Sequence, residues 1–370
     1  MLLLFPMQST AFPRFRFVGL LTVAAVYLLI LVGGVVRSTG SGMGCPDWPK
    51  CFGTWVPPTD ISQLPPNYKE VYTAQRVAKN QKLARTLQRL GFAQVAGSIF
   101  AHPTQYIETD FNPVKTWIEY VNRLLGALIG VFVFLTAVFA WPYRRHDPPV
   151  FWLAVAAWLL TGVQGWLGSL VVSTNLLPVM VTVHMGLALL IVALLLYAVN
   201  RAQEKTTPEN TFPAVAASGG LRAVLWLGLL ITFGQIVLGT QVRERVDMVA
   251  AAANYAGRAD WVGQLGSTFA VHRAFSGAVL MLVLYTAYEL WSLGPRLRRL
   301  AQGLLAVLAA ELLAGVVLAY GALPPAVQPV HLVLATVLFG LQFLALLAVS
   351  RPRIGRPIET PARPAHGVVA

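Results

Sequence analysis

Residues 117–141 read WIEYVNRLLGALIGVFVFLTAVFAW, which has the character of a membrane-spanning helix. From Leu124 onward the stretch is almost wholly apolar, and about 20 such residues in a helix cross a bilayer. Its first turns nevertheless carry Glu119, Asn122 and Arg123. Ionisable side chains inside a membrane are costly, which makes them candidates for a functional site.

The same hydrophobic character recurs along the 370-residue chain. Apolar residues make up 56% of it and charged residues 12%, whereas about 25% of an average soluble protein is charged. We therefore predict an all-α integral membrane protein with eight transmembrane helices. The eight stretches are 17–36, 117–141, 150–172, 178–199, 221–242, 268–291, 298–320 and 327–349.

The net charge of +13 does not indicate a nucleic-acid partner, because the basic residues collect in alternate loops. By the positive-inside rule those loops and both termini are cytoplasmic. No small-residue cleavage site follows the first span, so we expect a retained helix and not a removed signal peptide. The basic residues are Arg14, Arg16, Arg144, Arg145, Arg201, Lys205, Arg222, Arg296, Arg298, Arg299, Arg351, Arg353 and Arg356.

The outer loop 38–115 is the only large segment expected outside the membrane, and 243–267 is a second, shorter outer loop. Within the first, residues 70–100 are predicted to form an amphipathic helix on the membrane surface. The polar segment 201–220 is predicted to be a cytoplasmic linker. The Pro- and Arg-rich tail 351–370 is predicted to be disordered.

The linker divides the spans four and four, and the two halves carry matching polar and glycine positions. Matches in all four corresponding spans favour two pseudo-symmetric four-helix units, at 1–200 and 221–350. The matches are LVGGVVR (31–37) with VLGTQVR (237–243), Asn122-Arg123 with His272-Arg273, and Gly168 and Gly315, each 16 residues before His184 and His331.

Three histidines lie inside spans, each near the predicted outer end of its helix: His184, His272 and His331. One reading is that they hydrogen-bond between helices or lie at the headgroups. Their matched depth favours metal or haem ligation instead, with His272 and His331 as axial ligands across the second unit. No short-spaced His/Cys/carboxylate set indicates zinc.

Four arginines lie at the same end of the helices: Arg37, Arg123, Arg243 and Arg273. They are candidates for pairing with haem propionates, because guanidinium matches a carboxylate. The alternative is that they extend to lipid phosphates.

Glu119 precedes Asn122 by three residues and so shares its helix face. It is either a solvated carboxylate at a helix N-terminus or a functional acid. Cys45 and Cys51 lie in an outward-facing, exposed loop, where a disulfide is sterically feasible. Whether such a pair is a structural crosslink or redox-active stays open.

Taken together, RSTGSGMGCPDWPKCFGTW, WIEYVNR, VHMGLAL, VHRAFSG and QPVHLVL resemble the haem A synthase family over all eight spans and the first outer loop. The resemblance implies a haem b cofactor in the C-terminal unit, held by His272 and His331, with Arg273 and Arg243 near it. It implies that haem O, the substrate, enters the N-terminal unit near His184, Asn122, Arg123 and Arg37. One methyl group of haem O would be oxidised, through an alcohol, to the formyl group of haem A.

The resemblance also gives Glu119 a functional role, allows a Cys45–Cys51 disulfide and places the chain in a bacterial inner membrane. Haem A goes to cytochrome oxidase, so haem O synthase, oxidase assembly factors, lipid and a second copy of the chain are candidate partners. The family pattern has histidine at Asn122. That departure leaves His184 as the one intramembrane histidine of the first unit, with His102 in the outer loop as a distant substitute, and leaves the iron ligation there open.

Other functions stay open at this point. A di-haem or b-type electron-transfer cytochrome, such as a quinol oxidoreductase subunit, would also need intramembrane histidines. A repeat-built transporter would place polar groups near mid-membrane, whereas these cluster near one surface. A thiol oxidoreductase acting through Cys45 and Cys51 would leave the histidines without a role.

Overall fold

The computed structural model describes residues 13–89, 91–99, 110–173, 178–204 and 219–350. Eight of its helices are long and apolar enough to cross a membrane, which confirms the predicted all-α membrane architecture. Those eight are α1 (Pro13–Ser38), α4 (Pro113–Phe139), α6 (Pro148–Ser173), α7 (Pro178–Glu204), α8 (Gly219–Ala252), α9 (Gly266–Trp291), α10 (Pro295–Tyr320) and α11 (Val327–Val349). Three further helices are α2 (Tyr68–Arg89), α3 (Ala93–Ser98) and α5 (Tyr143–His146).

Local sequence sets the start of α4, whereas tertiary packing sets the end of α8. The Asn112 side chain accepts a hydrogen bond from the backbone N–H of Lys115 and caps α4, with Pro113 in its first turn. Helix α8 continues ten residues beyond its expected end at 242. Val246 and Ala250 on this extension are buried against Trp261 and Leu265. The predicted outer loop 243–267 is therefore helical over much of its length.

The spans pack as two rings of four helices. Helices α1, α4, α6 and α7 contact one another in cyclic order, as do α8, α9, α10 and α11. The rings meet where α11 packs on α1 and α7, and where α7 contacts α8. Helix α11 is the most enclosed span. In its 18-residue apolar stretch 61% of the residues are buried, against 33% or less in the other spans. The cofactor and substrate roles of the two units stay predictions.

Two glycines allow close packing where α11 meets α1. A Cβ on Gly34 of α1 would lie 3.0 Å from the Cα of Pro329 on α11. A Cβ on Gly340 of α11 would overlap the hydroxyl oxygen of Tyr27 on α1. Backbone separation at this contact therefore depends on the absence of a side chain.

We expect Gly34→Ala to lower the free energy of unfolding by about 1–3 kcal/mol, because the added methyl group meets backbone that cannot move alone. The matched control is Gly33→Ala. A Cβ there meets none of the described atoms within 4 Å, and alanine favours a helix over glycine by up to about 1 kcal/mol. Thermal unfolding in detergent should separate the two variants; equal melting temperatures would contradict this packing.

The prediction of one continuous helix over residues 70–100 is wrong, because the helix is interrupted between α2 and α3. Helix α2 stops at Arg89, and Gly91 has a φ of +87°. The N–H of Phe92 donates to the carbonyl of Leu87, as in a glycine-terminated helix end. Helix α3 then follows.

Lys69 at the start of α2 pairs with Asp110, and this contact lowers the pKa of Asp110. Most of the predicted linker and the whole predicted tail lie outside the described residues.

Candidate haem-binding site

His272 and His331 face each other across the C-terminal unit. They lie in the first two turns of α9 and α11, and their ring centroids are 6.5 Å apart with the planes at 74°. A metal–imidazole nitrogen bond of about 2.0–2.1 Å, added to a ring radius of about 1.2 Å on each side, gives a centroid separation of about 6.5 Å. The spacing therefore fits one iron between two imidazoles.

A porphyrin fits this donor set better than a bare metal ion does. Among the residues that the structure describes, no group of three or more His, Cys, Asp or Glu could hold a metal. Two imidazoles on facing helices are the axial pair that haem iron accepts, with its other four ligands supplied by the porphyrin.

Each intramembrane histidine packs against a glycine of a neighbouring helix. A Cβ would lie 3.5 Å from the Cε1 atom of His272 if placed on Gly239, and 3.5 Å from that of His331 if placed on Gly315. The same contact recurs at 3.4 Å between Gly168 and His184. The 16-residue spacing in the two halves thus places a glycine beside each imidazole, where a larger side chain would press on the ring.

A polar residue lies four positions before each of these glycines, a pattern that sequence reasoning missed. The side-chain amide of Gln164 donates to the carbonyl oxygen of His184 at 3.0 Å, and that of Gln235 donates to the carbonyl oxygen of His272 at 3.0 Å. At the third position Glu311 places Oε1 3.1 Å from Nδ1 of His331. The recurring Gln/Glu-x-x-x-Gly spacing was the available signal.

Several polar atoms of the candidate site residues and of Gln235 are buried without a partner in the described part of the chain. They include Nδ1 of His184 and of His272, Oδ1 of Asn122 and Oε1 of Gln235. Buried polar groups are nearly always hydrogen-bonded in native proteins. Buried, unpaired polar atoms on candidate site residues are what a site built for a polar-edged ligand would show.

Glu119 is buried and serves as an anchor for the outer loop. One carboxylate oxygen accepts the backbone N–H of Cys45 at 2.7 Å, and the other pairs with Arg123. Arg123 also donates to the carbonyl oxygen of Cys45 at 3.0 Å. The acid and the arginine, predicted to serve different groups, together hold the cysteine loop on the outer end of α4.

Arg37 and Arg243 converge on one acid that the sequence did not single out, Asp247. Arg37 contacts one of its carboxylate oxygens at 2.6 Å and Arg243 the other at 2.7 Å. Arg243 also donates to Gln328 of α11. These repeat-related arginines, assigned from the sequence to two different haems, therefore meet where the two units join. The Nε atoms of both arginines are buried and have no partner among the described residues.

Arg273 is arranged differently. Its side chain is exposed, and no acid of the described residues lies within ion-pair distance of it. Of the four arginines it is therefore the one that makes no ion pair within the described residues.

Cys45 and Cys51 form a disulfide. The expectation of an exposed pair is wrong, because Cys45 is 1% and Cys51 0% exposed. They are covered by Phe52, Tyr68 and Tyr72 in a small cluster. Burial at the base of the loop favours a structural crosslink. His102, the suggested distant ligand, lies outside the described residues.

Comparison with known proteins gives a consistent result. A family model described as "Cytochrome oxidase assembly protein" (COX15-CtaA) matches residues 16–89 and 92–343. The chain is 26% identical to a protein named "Heme A synthase" from Rhodospirillum centenum, over 96% of this chain and 92% of that one. It is also 26% identical to the protein of that name from Shewanella oneidensis, over 69% of this chain and 64% of the relative.

Proposed function

The chain belongs to the cytochrome oxidase assembly protein family COX15-CtaA, and we propose that it is a haem A synthase that oxidises a methyl group of haem O to the formyl group of haem A. The observation that carries this proposal is the pair His272 and His331, whose rings stand 6.5 Å apart on facing helices. The many relatives named "Heme A synthase" support the same reaction.

The C-terminal unit is the proposed site of a resident haem b. His272 and His331 would ligate its iron, and the glycines Gly239 and Gly315 leave room for the two rings, since a Cβ on either would lie 3.5 Å from Cε1. The exposed Arg273 would pair with a propionate, which is a favourable match for guanidinium. When bound, the haem supplies the electron transfer that the reaction needs.

The N-terminal unit is the proposed site for haem O. His184 would ligate the substrate from α7, while Asn122 occupies the position that matches His272. An amide is a weak ligand for iron, so we infer that Asn122 acts through hydrogen bonding, for which its buried Oδ1 is free among the described residues. We propose that Glu119 and Arg123 position this site by fixing the loop above it.

The cellular setting follows from the proposed reaction. The eight apolar helices make this a multi-pass membrane protein, and we propose the bacterial inner membrane, with the histidines toward the outer face. Haem O synthase would supply the substrate and cytochrome oxidase assembly factors would receive haem A. Association of two copies of the chain stays a proposal.

Pigment analysis tests the proposal directly. We expect a bacterial host that makes haem O but no haem A to accumulate haem A when this chain is expressed with a haem O synthase. Extracted haems are separated by liquid chromatography and identified by absorbance. Recovery of haem O alone, from protein with an intact b-type spectrum, would contradict the synthase and indicate the electron-transfer cytochrome instead.

A further inference from the structure

Besides Asn122 and His272, the two units differ at a second pair of repeat-related residues, Gln164 and Glu311. Each lies four residues before the glycine that contacts a histidine, Gly168 or Gly315. The halves are otherwise alike here, since a Cβ added to either glycine would lie 3.4 Å or 3.5 Å from Cε1 of its histidine. The amide and the acid therefore sit at equivalent places beside His184 and His331.

The two side chains make different contacts with their histidines. Oε1 of Glu311 lies 3.1 Å from Nδ1 of the His331 ring, so the carboxylate faces the nitrogen that iron would not use. Gln164 instead donates to the backbone carbonyl of His184, and Nδ1 of that ring has no partner in the described structure. Neither Nδ1 makes a well-aligned hydrogen bond in the described structure, but of these two rings only that of His331 has a carboxylate oxygen beside it, at ion-pair distance.

A carboxylate in this place needs an explanation. Glu311 lies nine residues before the end of α10 and its side chain is 14% exposed. Acidic side chains within membrane spans are rare and expensive, and they usually mark function. A metal-bound histidine commonly donates its second N–H to a carboxylate, which fixes the ring and strengthens it as a ligand. Charged acceptors do this better than amides.

We propose that Glu311 is a positioning residue that makes His331 a stronger iron ligand, and that the Glu311/Gln164 difference lets the C-terminal unit retain its haem while the N-terminal unit releases its own. This inference rests on the proposed function. It explains how two related halves of one fold could differ in haem affinity. One half would retain its cofactor, and the other would release its haem once the substrate has been converted to product.

Glu311→Gln in the purified holoprotein is the first test, with Glu289→Gln on α9 as the matched control that removes an acid elsewhere in the same unit. We expect the reduction potential of haem b to rise, since a weaker donor favours ferrous iron. Transfer of ferric haem to excess apomyoglobin should accelerate about 10- to 100-fold. The control should match wild type in both measurements.

Gln164→Glu is the reciprocal test. In protein loaded with haem O, we expect slower transfer of that haem to apomyoglobin, with an unchanged haem b spectrum as the measure of folding. Unchanged potential and release rates in Glu311→Gln, or unchanged haem O release in Gln164→Glu, would overturn the role of this pair. A wild-type chain that binds no haem would instead refute the proposed function.

Discussion

His272→Ala and His331→Ala are each expected to abolish the b-type spectrum of the purified protein and, with it, haem A production. The spacing of the two rings fits two metal–nitrogen bonds to one iron, which the proposed function places between them. Removing either ring leaves one axial position without a protein ligand. Bound haem also stabilises the folded state by mass action, so both variants should melt at lower temperature than wild-type holoprotein.

The matched control for these variants is His184→Ala. This histidine also has a glycine of a neighbouring helix beside its ring but belongs to the other four-helix unit. We expect the variant to keep the haem b spectrum while losing haem A formation. Absorbance spectra of the reduced and oxidised proteins distinguish the three substitutions. A His331→Ala protein with an unaltered spectrum would contradict the assignment of the axial pair.

The positions of the spans could be predicted because hydropathy over about 20 residues reports the membrane directly. Hydropathy could not predict where α8 ends. Residues 243–252 are mixed in polarity, and the helix continues because Val246 and Ala250 pack on Trp261. The end of α2 could have been predicted from the sequence, because glycine often ends a helix by adopting a positive φ, as Gly91 does here.

The site was only partly predictable from the sequence. The histidine pair followed from matched depth and from the repeat, both of which are local patterns. Glu119 was also a candidate from the sequence, but Asp247 and the contacts of both acids could not be predicted, because their partners are distant in sequence. Asp247 meets Arg37 across 210 residues, and Glu119 meets the backbone of Cys45 across 74. Tertiary packing creates such contacts, and a single sequence carries no pattern that reports them.

Glu119→Ala is expected to reduce haem A formation about 100-fold, the effect of a displacement of about 1 Å at a reacting centre, while haem b is retained. The substitution removes the acceptor for the N–H of Cys45 and leaves Arg123 without its acid. The cysteine loop should then detach from α4. Hydrogen exchange at the Cys45 amide should rise, and chromatography of extracted haems measures the loss of product.

A double-mutant cycle separates anchoring of the loop from direct chemistry by the carboxylate. Arg123 shares the anchor, because it binds both Glu119 and the carbonyl of Cys45. If anchoring is the whole role, Arg123→Ala should lower haem A formation as far as Glu119→Ala, and the double variant should fall little further. A much milder defect in Arg123→Ala, with the same loop exchange, would show that the carboxylate acts on the substrate itself.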